Sequence, residues 1–244
     1  MIIPAAGIGS RMAANKAKQY LRIQHKTILE HTVEVFLSHP EIGKIVVVLH
    51  PQDQIFSSLS LANNPRIIAI VGGSERVDSV LAGLHFVSKM HQASQFVLVH
   101  DAARPCIEAS DITRLIRQCV AITPNDKACG AILACPVADT IKKASTEKIS
   151  LANTQSTFVV NDTIDRSLLW QAQTPQMFIV NELIAAIDVN LANGKRLTDE
   201  ASAMENTGKY VMLVEGPSSN IKITKPSDLA LATFYLGAIN QNNK

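Results

Sequence analysis

An excess of charge of either sign is missing from this chain of 244 residues: 23 Lys and Arg stand against 21 Asp and Glu, a formal net charge of +2. So even a balance does not argue for nucleic acid or an anionic membrane, and no basic block with interleaved aromatics appears. Cysteine is sparse too. Cys106, Cys119, Cys129 and Cys135 show neither C-x-x-C spacing nor a His partner pattern, so they read as small core residues or thiols of a reducing compartment. No run approaches the roughly 18 apolar residues of a membrane span. No basic leader follows Met1, because the first strand begins at once. The expected place is the cytoplasm. The P-loop pattern G-x-x-x-x-G-K-S/T is also missing. The dinucleotide fingerprint fails because Met12 stands where a third small residue belongs, and Glu30, the nearest ribose-binding acid, falls in a helical pattern.

What is present is ordinary for a soluble globular protein: 47% hydrophobic and 18% charged residues. The chain is organised around its start, Ile2-Ile3-Pro4-Ala5-Ala6-Gly7-Ile8-Gly9-Ser10-Arg11-Met12, with Lys18-Gln19-Tyr20 close behind. A short apolar run stops at Pro4, and small residues follow where amides would approach a ligand. Gly7 and Gly9 allow turns at φ > 0, so successive N–H groups can converge on phosphate oxygens. Arg11 and Lys18 place positive charge beside that loop, which suits a nucleoside triphosphate. A tight βα turn with solvated cations uses the same residues.

Thr27 and Glu30 form a capping box opening a helix with Ile28, Leu29, Val33, Phe36 and Leu37 on one face. Residues 44–49 read as a strand buried on both faces, as in a parallel sheet. A short helix is expected over 52–61 and a strand over 66–71, running into Gly72 and Gly73. Then come a helix with Val77, Val80, Leu81, Leu84 and Val87 inward, a strand at 95–99 ending in His100-Asp101-Ala102-Ala103-Arg104-Pro105, a helix over Ile112–Val120, and a strand at 129–135. This alternation predicts a doubly wound, mostly parallel α/β sheet in a single domain over residues 1–244, with ligands beyond the carboxyl ends of the strands.

From about 137 to 165 the chain turns polar, with β-prone pieces at 139–143 and 157–160 and no helical pattern. A connection so long reads as a β-arm reaching from the body, and an arm that cannot bury itself packs on a second copy. A surface hairpin is the plainer alternative. The chain re-enters as a strand expected to end at Thr174-Pro175. A helix over 180–193, a short helix opened by Thr198-Asp199-Glu200, a strand at 210–215 and a last helix begun by Pro226 complete it.

Charged groups gather at the strand ends: Arg11 and Lys18, Arg76 and Ser79, Asp101 and Arg104, Thr140, Arg166, Thr198 to Glu200, and Lys222. An acid directly after a hydrophobic strand is where a Mg²⁺ carboxylate sits in nucleotide enzymes. Asp101 could equally cap its turn or pair with Arg104. Lys222, flanked by apolar residues, fits a phosphate ligand or a snorkelling strand lysine.

Taken in order, Pro4 to Met12, Lys18-Gln19-Tyr20, Gly72 to Val80, His100 to Pro105, Thr198 to Ser202 and Asn220-Ile221-Lys222-Ile223-Thr224 closely resemble the 2-C-methyl-D-erythritol 4-phosphate cytidylyltransferase family over nearly the whole chain. The resemblance implies a nucleotidyltransferase fold, a homodimer joined by the arm, and cytidylyl transfer from CTP to the polyol phosphate with Mg²⁺. In that picture Arg11, Lys18 and Lys222 are catalytic, and Asp101 ligates the metal. Pro4, Ala5, Ala6, Gly7, Gly9, Gly72, Gly73, Ser79, Asp101 and Ala102 bind the nucleotide. Arg104, Thr140, Arg166 (from the partner's arm) and Thr198 hold the acceptor. None of the seven histidines is needed as a base, because the attacking phosphate is already ionised at pH 7. Ala17 departs from the family's usual proline before the lysine, which predicts a looser loop. The arm also reads as longer than usual. Transfer to another polyol phosphate such as ribitol 5-phosphate, and a non-catalytic nucleotide-binding module, are the competing readings.

Overall fold

Ile2 and Ile3 are both fully buried, and they face opposite sides of the molecule. Side chains one residue apart on a strand point to opposite faces. Ile3 packs with Leu29, Val33 and Phe36, whereas Ile2 packs with Val80 and Leu84. A strand covered on both faces must be apolar throughout, which explains the unbroken runs near 45–48 and 96–99. The computed structural model describes residues 1–7, 17–90, 95–123, 126–150 and 155–242. The predicted Gly9 and Arg11 lie outside the described residues.

In chain order the elements are β1 (Ile2–Ala5), β2 (Arg22–Ile23), β3 (Lys26–Thr27), α1 (Ile28–Ser38), β4 (Ile45–Leu49), β5 (Ile67–Val71), α2 (Arg76–Met90), β6 (Phe96–Val99) and α3 (Ala109–Val120). They continue with β7 (Ala128–Pro136), β8 (Ile141–Ile149), β9 (Thr157–Ile164), β10 (Trp170–Ile179), α4 (Val180–Ala192), α5 (Glu200–Glu205), β11 (Tyr210–Glu215) and α6 (Pro226–Asn242). Seven strands form one sheet in the order β11-β7-β10-β6-β1-β4-β5. β10 runs antiparallel to both its neighbours, and the other pairings are parallel. α1 and α3 cover one face, and α2, α4 and α5 the other. A third cluster joins α6 through Ala232 and Leu236 to Ile23, Ile28, Ala103 and Ile223. The expected doubly wound α/β architecture is present.

The capping box of α1 forms as its sequence dictates: Thr27 Oγ1 accepts the Glu30 N–H at 3.1 Å, and Glu30 Oε2 accepts the Thr27 N–H at 2.7 Å. Three other expectations change. In place of the short helix expected over 52–61, the chain forms two 3-10 turns, Phe56–Ser58 and Ser60–Asn63. Serine hydroxyls compete there for backbone groups, as when Ser58 donates to the Ile55 carbonyl at 2.6 Å. β10 does not stop at Pro175 but runs on to Ile179. The proline, which has no N–H to give, falls where the register shifts between Ala172 and Gln176. The strands at 141–149 and 157–164 are longer than the expected pieces; they pair with each other in a sheet of their own and are largely exposed on both faces.

Candidate active site

Because β1, β5 and β6 run in the same direction, the turns after Ala5, Val71 and Val99 emerge on one edge of the sheet. There they border an open cleft of about 620 Å³, lined among others by Pro4, Ala5, Ala6, Gly7, Lys18, Gly73, Ser79, Asp101, Ala102 and Lys222. Ten of the residues predicted to bind the nucleotide or carry the chemistry are thus brought together, with Arg76 beside them.

The first loop is held from behind by Gln19, a buried side chain whose Nε2 donates to the carbonyls of Ala5 at 2.7 Å and Gly7 at 3.1 Å. Gly7 itself is not in the left-handed region, contrary to the expected φ > 0 turn, and a Cβ there would meet nothing within 4 Å among the described residues. Its missing side chain leaves the cleft clear. Gly72 has a different reason. A Cβ on it would lie 2.5 Å from Ser79 Oγ, 2.9 Å from Val48 Cγ1 and 3.1 Å from Ala6 Cβ, so the turn after β5, the start of α2 and the first loop close up only without it. Gly72 therefore packs beneath the cleft wall, whereas Gly73 lines it.

Asp101 is the electrostatic centre. Arg76 Nε donates to Oδ1 at 3.2 Å; Lys222 Nζ and Arg104 Nε lie 2.8 and 3.4 Å from Oδ2. Burial pushes this carboxyl up, but the charges of Arg76, Lys222 and Arg104 outweigh that and hold it well below the ordinary carboxylate range. Arg76 is gripped in turn by Glu200, Nη1 to Oε1 at 2.6 Å and Nη2 to Oε2 at 3.1 Å. Arg104 donates a second time, through Nη1, to the Asn220 carbonyl at 2.7 Å. Lys18 Nζ reaches the Ile223 carbonyl at 3.2 Å, beside Lys222. With Glu75, which also lines the cleft, the four cations Lys18, Arg76, Arg104 and Lys222 face the three carboxylates Glu75, Asp101 and Glu200, so the cleft and its supports keep an excess of one positive charge, the sign a polyphosphate requires.

His100, next to this acid, is fully buried, and burial lowers its pKa to about 4. Its Nε2 faces the Arg104 carbonyl at 3.1 Å and must carry the proton. Nδ1 therefore accepts from the Thr174 hydroxyl at 3.0 Å, whose oxygen accepts the Asp101 N–H at 3.0 Å. Both imidazole nitrogens are committed to holding the turn that carries Asp101.

Thr198 borders a smaller recess with Arg76, Val77, Leu197 and Glu200, adjoining the main cleft at Arg76. Arg104 is not a lining residue; its guanidinium is spent on Asp101 and Asn220. Thr140 and Arg166 flank the base of the β8–β9 hairpin, exposed, and do not line the cleft of this chain. The sequence left three contributors without a role: Gln19, Thr174 and the Arg76–Glu200 pair. Arg76 and Glu200 were visible as charges near strand ends, but which acid is buried was not.

Among the described residues no three His, Cys, Asp or Glu side chains converge as a metal cage. A single acid suits Mg²⁺ that arrives with phosphate, since this ion commonly takes one or two carboxylates and completes its shell with phosphate and water oxygens.

Residues 1–238 match the model of the IspD family, 2-C-methyl-D-erythritol 4-phosphate cytidylyltransferase. The chain belongs to that family. Cytidylyltransferases of this name from Vibrio vulnificus (strain CMCP6) and Tolumonas auensis are 48% and 50% identical to it over 235 residues, covering 96% of this chain and 93% and 95% of theirs. The crystal structure of the Francisella tularensis IspD superposes with a TM-score of 0.78 at 33% identity, covering 96% of this chain and 97% of the other. No described helix is long and apolar enough to cross a membrane.

Proposed function

We propose that this chain transfers the cytidylyl group of CTP to 2-C-methyl-D-erythritol 4-phosphate and releases pyrophosphate. The supporting observation is the convergence of Lys18, Lys222 and Asp101 on one cleft beside the uncharged wall of Ala5, Ala6 and Ser79, in a member of a cytidylyltransferase family. An oxygen of the acceptor phosphate attacks the α-phosphorus of CTP, the bond to the β-phosphate oxygen breaks, and pyrophosphate leaves with that electron pair. Such a transfer needs alignment and neutralised charge more than proton movement. The acceptor phosphate is already ionised at neutral pH, and His100, neutral and doubly engaged, is not called on.

In this reading Ala5, Ala6, Gly7, Gly73, Ser79 and Ala102 border the nucleoside, and Arg11 and Lys18 take the triphosphate. Lys222 faces the α-phosphate, where negative charge builds up as the acceptor adds. Asp101 would hold Mg²⁺, which when bound offsets the charge of the triphosphate. The active unit is a homodimer, each hairpin carrying Thr140 and Arg166 to the acceptor side of its partner's cleft, with Thr198 completing it. The four cysteines are unpaired, which supports a cytosolic enzyme.

The test is pyrophosphate release by purified protein with CTP and Mg²⁺, with methylerythritol 4-phosphate and ribitol 5-phosphate offered separately. Release with the first and not the second is expected. Release with ribitol phosphate alone overturns the acceptor, and CTP binding without release overturns the reaction.

A further inference from the structure

Arg76 borders the cleft, yet every nitrogen of its guanidinium serves a carboxylate: Nη1 and Nη2 grip the two oxygens of Glu200, and Nε holds Oδ1 of Asp101. That is the fork an arginine would otherwise offer to a phosphate. Glu200 is placed for this by the start of α5. Asp199 serves as cap, accepting the Ser202 N–H at 2.9 Å, and the residue after it is turned inward and buried against the start of α2.

We infer that Glu200 is a positioning residue that keeps Arg76 on Asp101 and off the polyphosphate. The inference rests on the nucleotide reading above. A guanidinium free in this cleft would take two phosphate oxygens of the bound nucleotide in the ground state. Interactions equally strong in ground and transition states tighten binding without speeding the chemistry. Asp101 would meanwhile lose its partner on Oδ1 and rely on Arg104 and Lys222, both on Oδ2. Glu200 prevents both by cancelling the charge and filling the fork. A pair that merely tied α2 to α5 would have neither effect on ligand affinity.

The test is a binding cycle by calorimetry on the full chain at low ionic strength, with CTP and with inorganic tripolyphosphate as probes. Glu200→Gln is expected to bind both roughly threefold or more tightly than wild type, with the gain shrinking at high salt. Arg76→Gln/Glu200→Gln should return tripolyphosphate affinity to within about twofold of wild type, since the freed charge is gone. Where turnover is measured, Glu200→Gln should lower kcat about tenfold while KM for CTP does not rise. Unchanged or weaker tripolyphosphate binding by folded Glu200→Gln overturns the inference. If that variant does not fold, Glu200→Asp, which keeps the charge but shortens the reach, takes its place: tighter binding supports the inference and unchanged or weaker binding overturns it. Wild-type protein that binds CTP but releases no pyrophosphate would overturn the proposed reaction, and the tripolyphosphate cycle would still decide the role of Glu200.

Discussion

Lys222 Nζ lies 2.8 Å from Oδ2 of Asp101, and Lys222 is the most exposed of the three cations on that carboxylate. Among the described residues it is also the one of the three without a second anchor, since Glu200 holds Arg76 and the Asn220 carbonyl holds Arg104. A lysine held by one contact can turn toward an arriving phosphate. Lys222→Ala should therefore lower kcat by about a hundredfold, the usual cost of removing a charge stabiliser, with a much smaller change in CTP affinity. Lys18→Ala should lower kcat by a similar order, about a hundredfold. Steady-state kinetics and titration with CTP check both; unchanged turnover removes the residue from the mechanism.

His100 gives acid sensitivity of known sign. Its folded pKa of about 4 lies below the ordinary value of 6.5, so between these values the unfolded chain binds more protons than the folded one. Stability rises with pH across that window and falls as the solution is acidified from about 6.5 to 4, by about 3 kcal/mol in all. Asp101, held below the carboxylate range, adds a further loss at still lower pH. Denaturant unfolding of wild type and His100→Gln at pH 7 and pH 5 should show a smaller difference for the variant; equal differences would contradict this account.

Ala17 stands at φ −58°, ψ 137°, just before the 3-10 turn Lys18–Tyr20. That φ is within proline's range, so Ala17→Pro should be accommodated and stabilise by about 0.4–1 kcal/mol, through a more restricted unfolded chain. A rise in Tm of about 1–4 °C is expected for a chain of this size. A fall would show that the backbone there is less free than its φ implies.

Arg166 carries the acceptor half of the proposal. Arg166→Ala should raise KM for the polyol phosphate by roughly tenfold or more while leaving KM for CTP within about twofold. An equal rise for both substrates would place Arg166 elsewhere. Sedimentation of the wild type should give a dimer, and mixing Arg166→Ala with Lys18→Ala should restore activity in mixed dimers whose intact cleft meets an intact arm.

Much of the architecture was legible because a strand buried on both faces announces itself as an unbroken apolar run, and the turn at its carboxyl end forms the edge of the site. Pro4 to Gly7, Gly73 and Asp101 were found that way, and Thr27 with Glu30 marked α1 through reciprocal capping. Residues that work from behind were not legible. Gln19 supports the first loop by donating to two carbonyls, and nothing in its neighbours' side chains signals that. Glu200 comes after Asp199 as a second acid at a helix start, and only the fold shows that one caps while the other is buried beneath Arg76. Pro175 read as a terminator because a proline usually ends a ladder, yet a register shift next to it carries β10 onward.

The cluster around Asp101 draws on residues 76, 101, 104, 200 and 222, with Gln19 bracing the first loop from the other side. No short piece of the chain contains it, so a partly folded molecule has little nucleotide site to offer. Saturating nucleotide, at about a hundred times its Kd, then favours the complete fold by about 2.7 kcal/mol. A nucleotide-induced shift in melting temperature consequently reports on the integrity of the whole molecule, from the first strand to the segment bearing Lys222, and can serve as a folding assay for variants that have lost turnover.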